Sequence, residues 1–324
     1  MKALVFPEDP KIRDLANKYH YDPWLVARFV QYVPDAVSFL EKMERLPTRY
    51  IRVNTIKTTP DELIPRLQEK GFCVLATFLP EVFSVSDGSV SIGATTEYML
   101  GHYYIQDLSS CIAVEALDLS ANHLALDVAA APGGKTTLMA QKMNNTGCIV
   151  AFEPNEKRVR AMSFNLARMG ASNVCVRAAD GAEAAILGPI FDRVLLDAPC
   201  SCEGVIAKDP SRKTSHTIED VEFCSNRQLG LIDAAISAVK PGGVLVYSTC
   251  SFAPEENEAI VSHALEKYEE LQVEPVQFGV QGMTEFGNQN FNPKVRNTRR
   301  FYPHINDTTG FFIAKLRKAG RAEA

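Results

Sequence analysis

No stretch of this chain approaches the roughly 18 consecutive apolar residues of a membrane-spanning helix, so none is expected. The opening MKALVFPEDPKIRD has an apolar segment too short for a secretory signal, and the expected location is cytoplasmic. Internal repeats and low-complexity tracts are missing. Cysteine is sparse, eight in 324 residues, which excludes a disulfide scaffold and leaves reduced thiols available for chemistry. A cationic excess is also missing. The chain has 34 Lys and Arg against 39 Asp and Glu, a net charge of −5, and a pI of about 5.8. That balance argues against wholesale coating of nucleic acid but permits a local basic patch. What is present is 46% apolar composition. At this length such a chain buries roughly three quarters of its unfolded surface, and about two domains are expected.

The chain changes texture once. Residues 9–45 read as helical, with Trp24, Ala27, Val30 and Gln31 at helical spacing and Pro34 as an interruption. RYIRVNTIK (49–57) alternates like a strand, Pro60-Asp61-Glu62 opens a helix that Gly71 ends, and FCVLATFL reads as a second strand. This block is a small α+β unit ending near residue 118. From 123 onward, apolar strands alternate with helices: HLALDV, CIVAFE, VCVRAAD, RVLLDAP and GGVLVYSTC. NEKRVRAMSFNLARMG between them is an amphipathic helix closed by Gly170. Such alternation predicts an α/β fold, a parallel sheet flanked by helices, with ligands at the carboxyl ends of its strands. Those ends carry Asp127, Glu153, Asp180, Asp197 and Cys250. The bland alternative is that the acids cap the following helices.

The loop Ala129-Ala130-Ala131-Pro132-Gly133-Gly134-Lys135 joins the first of these strands to a helix. Small residues allow close backbone approach, and helix-start N–H groups attract an anion. Two ligands fit. A phosphate would make Gly134-Lys135-Thr136 the end of a P-loop and RVLLDAP its companion strand, although Ala129 stands where a P-loop needs Gly. A nucleoside cofactor of the S-adenosylmethionine (SAM) type would place its carboxylate on the loop. Its ribose hydroxyls would then meet Glu153, about 20 residues beyond the glycines, with Asp180 near the adenine.

DAPCSCEG (197–204) and YSTCS (247–251) each set a cysteine just past an apolar strand. A thiolate there can add to carbon 6 of a pyrimidine and make carbon 5 nucleophilic. An acid must then stabilise charge at ring nitrogen 3, and a base must remove the proton at carbon 5. Cys200, Cys250 and Asp197 are the residue types required, but the chemistry alone leaves open which cysteine attacks. Metal binding is not expected, because Cys200 and Cys202 are too close for a Cys-x-x-Cys knuckle and have no partner pair. Cys73, Cys111, Cys148, Cys175 and Cys224 read as packing residues.

DVAAAPGGKTT (127–137), LLDAPCSCEGVIAKDP (195–210), KPGGVLVYSTCSFAPEENEAIV (240–261) and RRFYPHINDTTGFFIAKL (299–316) resemble the Sun/Fmu-type RNA (cytosine-5) methyltransferases, archaeal tRNA enzymes among them. IRVNTIK (51–57) and YYIQDLSS (103–110) resemble upstream elements of the same family, so the likeness spans most of the chain. It implies a SAM-dependent, Rossmann-like catalytic domain over 119–324 and an RNA-binding domain over 1–118. It also implies Cys250 as nucleophile, Cys200 as the residue that releases product, and Asp197 at the base. SAM would be held by loop 129–135, Glu153, Asp180 and Asp197, with Arg158 bracing the pocket. Two positions depart from the family pattern: Ala129 stands where Cys is frequent, and Cys202 where Gly is usual.

KVRNTRRFYPH (294–304) holds four cations and no acid, interleaved with Phe301 and Tyr302. Cations fix phosphates and aromatics stack on bases, so RNA contact is expected here. Arg49, Arg52 and Lys57 form a smaller cluster of the same kind. The implied partner is RNA, tRNA rather than rRNA given no further module in these residues, and the protein is expected to be a monomer. A P-loop NTPase and a catalytically idle RNA-binding module are the alternatives.

Overall fold

The computed structural model describes residues 2–86, 88 and 90–320. In chain order it has α1 (Pro10–Tyr19), α2 (Pro23–Tyr32), α3 (Ala36–Met43), β1 (Arg49–Val53), α4 (Pro60–Glu69), β2 (Val74–Ala76) and β3 (Val82–Val85). There follow α5 (Thr96–Met99), β4 (Tyr103–Ile105), α6 (Leu108–Glu115), β5 (Leu124–Asp127), α7 (Gly134–Lys142), β6 (Cys148–Phe152), α8 (Glu156–Met169), β7 (Val174–Arg177) and β8 (Phe191–Asp197). The remainder is α9 (Arg212–Ser215), α10 (Ile218–Ala238), β9 (Val239–Thr249), α11 (Glu258–Lys267), β10 (Leu271–Glu274), β11 (Val280–Gln281), β12 (Glu285–Phe286), β13 (Gln289–Asn290), β14 (Arg299–Phe301), α12 (Pro303–Asn306) and β15 (Phe311–Lys318). No helix among the described residues is long and apolar enough to cross a membrane.

The chain forms two compact units, neither a single stretch of sequence. One comprises Met1–Pro47, Ala198–Asp233 and Tyr247–Ala324; the other comprises Thr48–Asp197 and Ala234–Val246.

The second unit holds two sheets. An antiparallel sheet has the order β2-β3-β1-β4. Its α4 starts with a capping box, in which Thr59 and Glu62 satisfy each other's backbone N–H groups, and Leu63 and Leu67 bury against Ile51, Val53 and Tyr103. The other sheet runs β9-β8-β5-β6-β7, with β5, β6, β7 and β8 parallel. The chain steps outward from β5 to β6 to β7, then returns to add β8 on the other side of β5. The crevice of such a sheet lies where the order reverses, between β5 and β8. Helix α8 follows β6 because Asn155 caps its first turn and Gly170, at φ 73°, ends it in the left-handed conformation. Its Met162 and Leu166 pack on Ala130, Ala131 and Ala151.

In the first unit, β14 and β15 pair antiparallel, with β11 on β14 and β10 on β15. An aromatic core fills it. Phe29, Phe39 and Phe252 meet edge to face, and Tyr302 stacks on Phe252 at 5.7 Å.

Candidate active site

At the reversal point of the parallel sheet, β5 ends on Asp127 and β8 on Asp197. Asp127 is buried. Its Oδ2 accepts from Thr136 at 2.7 Å, while Oδ1 has no protein partner. Burial pushes this carboxyl up to about 7, against the Thr136 hydrogen bond. The loop between the strand and α7 needs its glycines. Gly133 sits at φ 94°, where a Cβ would lie 3.2 Å from Met162, and a Cβ on Gly134 would lie 3.1 Å from the Tyr104 ring. Helix α7 begins with no side-chain cap. Lys135, one residue into it, donates to Asp197 Oδ2 at 2.7 Å and thereby links the loop to β8.

Glu153, at the end of β6, is buried. Its Oε1 accepts from the Asn155 N–H at 2.9 Å and its Oε2 pairs with Arg158 at 3.0 Å. Arg158 also donates to the Ala131 carbonyl at 2.7 Å, so it ties the acid to the loop. Asp180 behaves as a cap: it accepts from Ala182 N and shares a capping box with Glu183. The bland reading of strand-end acids therefore describes part of what Asp180 does, and Asp127 and Glu153 also hold local structure.

The other unit assembles the cysteines. Cys200 and Cys250 approach to 3.3 Å between sulfurs, and Cys202 lies 3.9 Å from Cys200. All three sulfurs fall within 4.8 Å of one another. Two backbone bonds pin the loops: Ala198 N donates to Ser248 O, and Gly204 N donates to Cys250 O, both at 2.8 Å. Only glycine fits at 204, because a Cβ would lie 2.3 Å from the Gly310 carbonyl and 2.8 Å from that of Cys250. Cys202 takes a left-handed φ of 63°. Hydrogen bonds to Cys202 and Cys250, together with burial, raise the Cys200 thiol. Hydrogen bonds with Cys200 and Cys250 lower Cys202, with Arg212 and His216 adding to the effect.

Sequence reasoning missed what holds these loops. Glu256 is buried and accepts from Ser201 N at 2.9 Å, Gln228 at 3.0 Å, Ser251 Oγ at 2.6 Å and Ser201 Oγ. It thus joins the residue after Cys200 to the residue after Cys250. Burial pushes it up to about 7, against the two serine hydrogen bonds. Glu203, also buried, accepts from Tyr32, Phe252 N and His216. The available signal was PEEN (254–257) amid apolar residues: carboxylates that fold inward need partners.

The basic segment requires a correction. Arg300 is 2% exposed, paired with Glu258 and donating to the Phe252 carbonyl. Phe301 and Tyr302 are buried in the aromatic core and offer no face for a base. Arg299 donates to the carbonyls of Arg296, Asn297 and Thr298. Lys294 and Arg296 are exposed. Arg52 is corrected likewise: it is buried and donates to Gln106, Gln141 and Thr137. Lys57 donates to the carbonyls of Leu100 and Arg168, and Arg49 is exposed.

Comparison with known proteins follows the same outline. A family model described as 16S rRNA methyltransferase RsmB/F matches residues 114–317, and an RsmF/B-like ferredoxin-like domain matches 21–87. A 28S rRNA (cytosine-C(5))-methyltransferase of Mus musculus is 41% identical over 316 residues, 94% of this chain and 40% of that protein. A tRNA (cytosine(49)-C(5))-methyltransferase of Pyrococcus abyssi is 40% identical over 83% of this chain and 87% of its own. The crystal structure of a methyltransferase homolog from Pyrococcus horikoshii superposes with a TM-score of 0.86 at 36% identity, covering 96% of this chain and 99% of that one. The chain spans between 39% and 59% of the length of several other curated relatives. Matched over most of its length by the family model, and aligned with the Pyrococcus abyssi enzyme over most of both chains, this chain belongs to the RsmB/F methyltransferase family.

Proposed function

We propose that this chain transfers a methyl group from SAM to carbon 5 of cytosine in RNA, through a covalent bond between cysteine and base. The observation that carries the reading is the 3.3 Å approach of Cys200 and Cys250 at the ends of two loops that Glu256 ties together. Membership of the RsmB/F family supports it over the P-loop and idle-module alternatives.

The residues present fit SAM. The glycine loop admits close approach, and α7 starts without a side-chain cap, which suits a carboxylate. Loop 129–135 and Asp197 would hold the methionine end, Glu153 the ribose hydroxyls and Asp180 the adenine side. Each Glu153 oxygen has one protein partner and can accept another hydrogen bond. SAM, when bound, supplies an electrophilic methyl group.

Cys250 as thiolate adds to carbon 6 of the cytosine, and the displaced π electrons move toward carbon 5 and ring nitrogen 3. Asp197, oriented by Lys135, stabilises the charge at nitrogen 3 through a shared proton. Once carbon 5 carries the methyl group, Cys200 in its thiolate form, its own proton already lost to solvent, takes the carbon-5 proton. The electrons left behind re-form the carbon 5–carbon 6 double bond as the bond to Cys250 breaks. A cytosine in paired RNA must first be flipped out, at a cost of a few kcal/mol.

In this proposal residues 1–118 bind RNA and 119–324 carry the chemistry, the protein acting in the cytoplasm as a monomer. tRNA is the RNA class, a reading supported by alignment with the Pyrococcus abyssi tRNA enzyme over most of both chains. A second reading, rRNA, is favoured by the family model's description and by the mouse relative. Bisulfite sequencing of total RNA from cells with and without the gene tests both. Loss of 5-methylcytosine from a tRNA is expected; loss from rRNA would select the second reading, and no loss from any RNA would overturn cytosine methylation.

A further inference from the structure

Cys202 has no part in the chemistry above, yet its sulfur completes a cluster. Spacing alone offers Cys200 and Cys202 no partner pair, but the fold brings Cys250 to them. We propose that Cys200, Cys202 and Cys250 form a three-thiolate site for a thiophilic divalent cation of the zinc and cadmium class.

The argument is geometric. Zinc bound to sulfur at about 2.3 Å in a tetrahedron spaces its ligands roughly 3.8 Å apart. The sulfur separations of 3.3 and 3.9 Å bracket that value, and all three atoms lie within 4.8 Å. The loops are already held in place by Glu256 and by the Gly204–Cys250 backbone bond, so little ordering remains to be done. Each cysteine is partly exposed, which gives an ion a route in. Soft sulfur ligands select zinc or cadmium over magnesium or calcium. Three protein ligands leave the fourth position to water, as in open rather than closed zinc sites.

Binding forms three metal–sulfur bonds, and each thiol that is still protonated gives its proton to the buffer, up to three in all. No oxidant or reductant takes part. The ion would occupy both cysteines assigned to catalysis, so on the proposed function it would block methyl transfer; binding itself does not depend on that assignment.

The test uses the reduced full-length chain titrated with Cd²⁺, followed by the ultraviolet sulfur-to-cadmium charge-transfer band and by proton release in weak buffer. One tight equivalent is expected, removed by a chelator. Cys202→Gly suits the left-handed backbone and should fold normally, yet it should weaken that equivalent by about 100-fold, a single ligand's share of a structural zinc site. Cys250→Ser should do the same, while Cys73→Ser should leave it unchanged. Bound Cd²⁺ should also protect Cys200, Cys202 and Cys250 from alkylation as read by mass spectrometry. Unchanged affinity in Cys202→Gly, or alkylation of all three cysteines at saturating Cd²⁺, would overturn the site whether or not the protein methylates RNA.

Discussion

The sulfurs of Cys200 and Cys250 lie 3.3 Å apart although 50 residues separate them in the chain. Two sulfurs that close can act in succession on adjacent carbons of one ring, one adding to carbon 6 and the other receiving the proton from carbon 5. The separation of roles gives a direct experiment. Cys250→Ala should abolish methylation and form no covalent RNA complex. Cys200→Ala should still add to the base and then stall, running on a denaturing gel as a SAM-dependent protein–RNA adduct. Asp197→Ala should form little adduct in either background. An adduct in Cys250→Ala and none in Cys200→Ala would reverse the roles, and full activity in both would end the covalent mechanism.

Glu153 and Arg158 should differ in their effect on the cofactor. Glu153→Ala removes a buried acceptor and should weaken SAM binding by about 1–3 kcal/mol if it takes away two charge-assisted hydrogen bonds. Arg158 is 56% exposed and braces Glu153 from outside, so Arg158→Ala should cost less, about 1 kcal/mol or below. Isothermal calorimetry measures both; equal affinities for Glu153→Ala and the parent would remove the acid from the site.

Within the basic segment, burial divides the residues by function. Neutralising exposed Lys294 and Arg296 should lower RNA affinity and flatten its salt dependence by about 0.7 for each single-strand phosphate deprived of its cation. Folding should be unaffected. Arg300→Gln should instead destabilise the fold by about 3–5 kcal/mol, because Glu258 is left buried without its partner. Filter binding across a salt series, paired with denaturant unfolding, separates the two. An unchanged salt slope would make 294–296 an ordinary solvated loop.

Glu256 supplies a pH signature. Burial raises its carboxyl from the usual 4.5 to about 7. A raised acid binds its proton more tightly in the folded state, so its contribution to stability is present below about 4.5 and is lost as pH rises through about 7. Glu256→Gln cannot ionise. Its stability relative to the parent should therefore improve between pH 5 and 8 by up to about 3 kcal/mol, whatever constant offset the altered acceptor imposes. Urea unfolding across that range gives the slope, and a flat difference would mean that Glu256 stays ionised throughout.

Much of the fold is written locally. Strands alternating with helices after residue 123, Gly170 ending α8, and the Pro60 start of α4 each depend on residues a few positions apart, and each forms where that spacing implies. The short β3 alternates too little to stand out from its surroundings. The family motifs likewise lie within short runs, so the candidate cysteines and the glycine loop are legible in the sequence by itself. Exposure is not. RRFYPH offers cations and aromatics to any reader of the sequence, but Glu258, 42 residues before Arg300, decides that this arginine is buried. Glu256 joins Ser201 and Ser251, and Cys250 completes the pair Cys200 and Cys202, across distances no local pattern encodes. Periodicity and turn chemistry act over one or two turns of backbone. Which charge finds its partner inside the protein, and which thiols meet, is settled only when distant strands and loops pack, because a buried charge is stable only beside the group that compensates it.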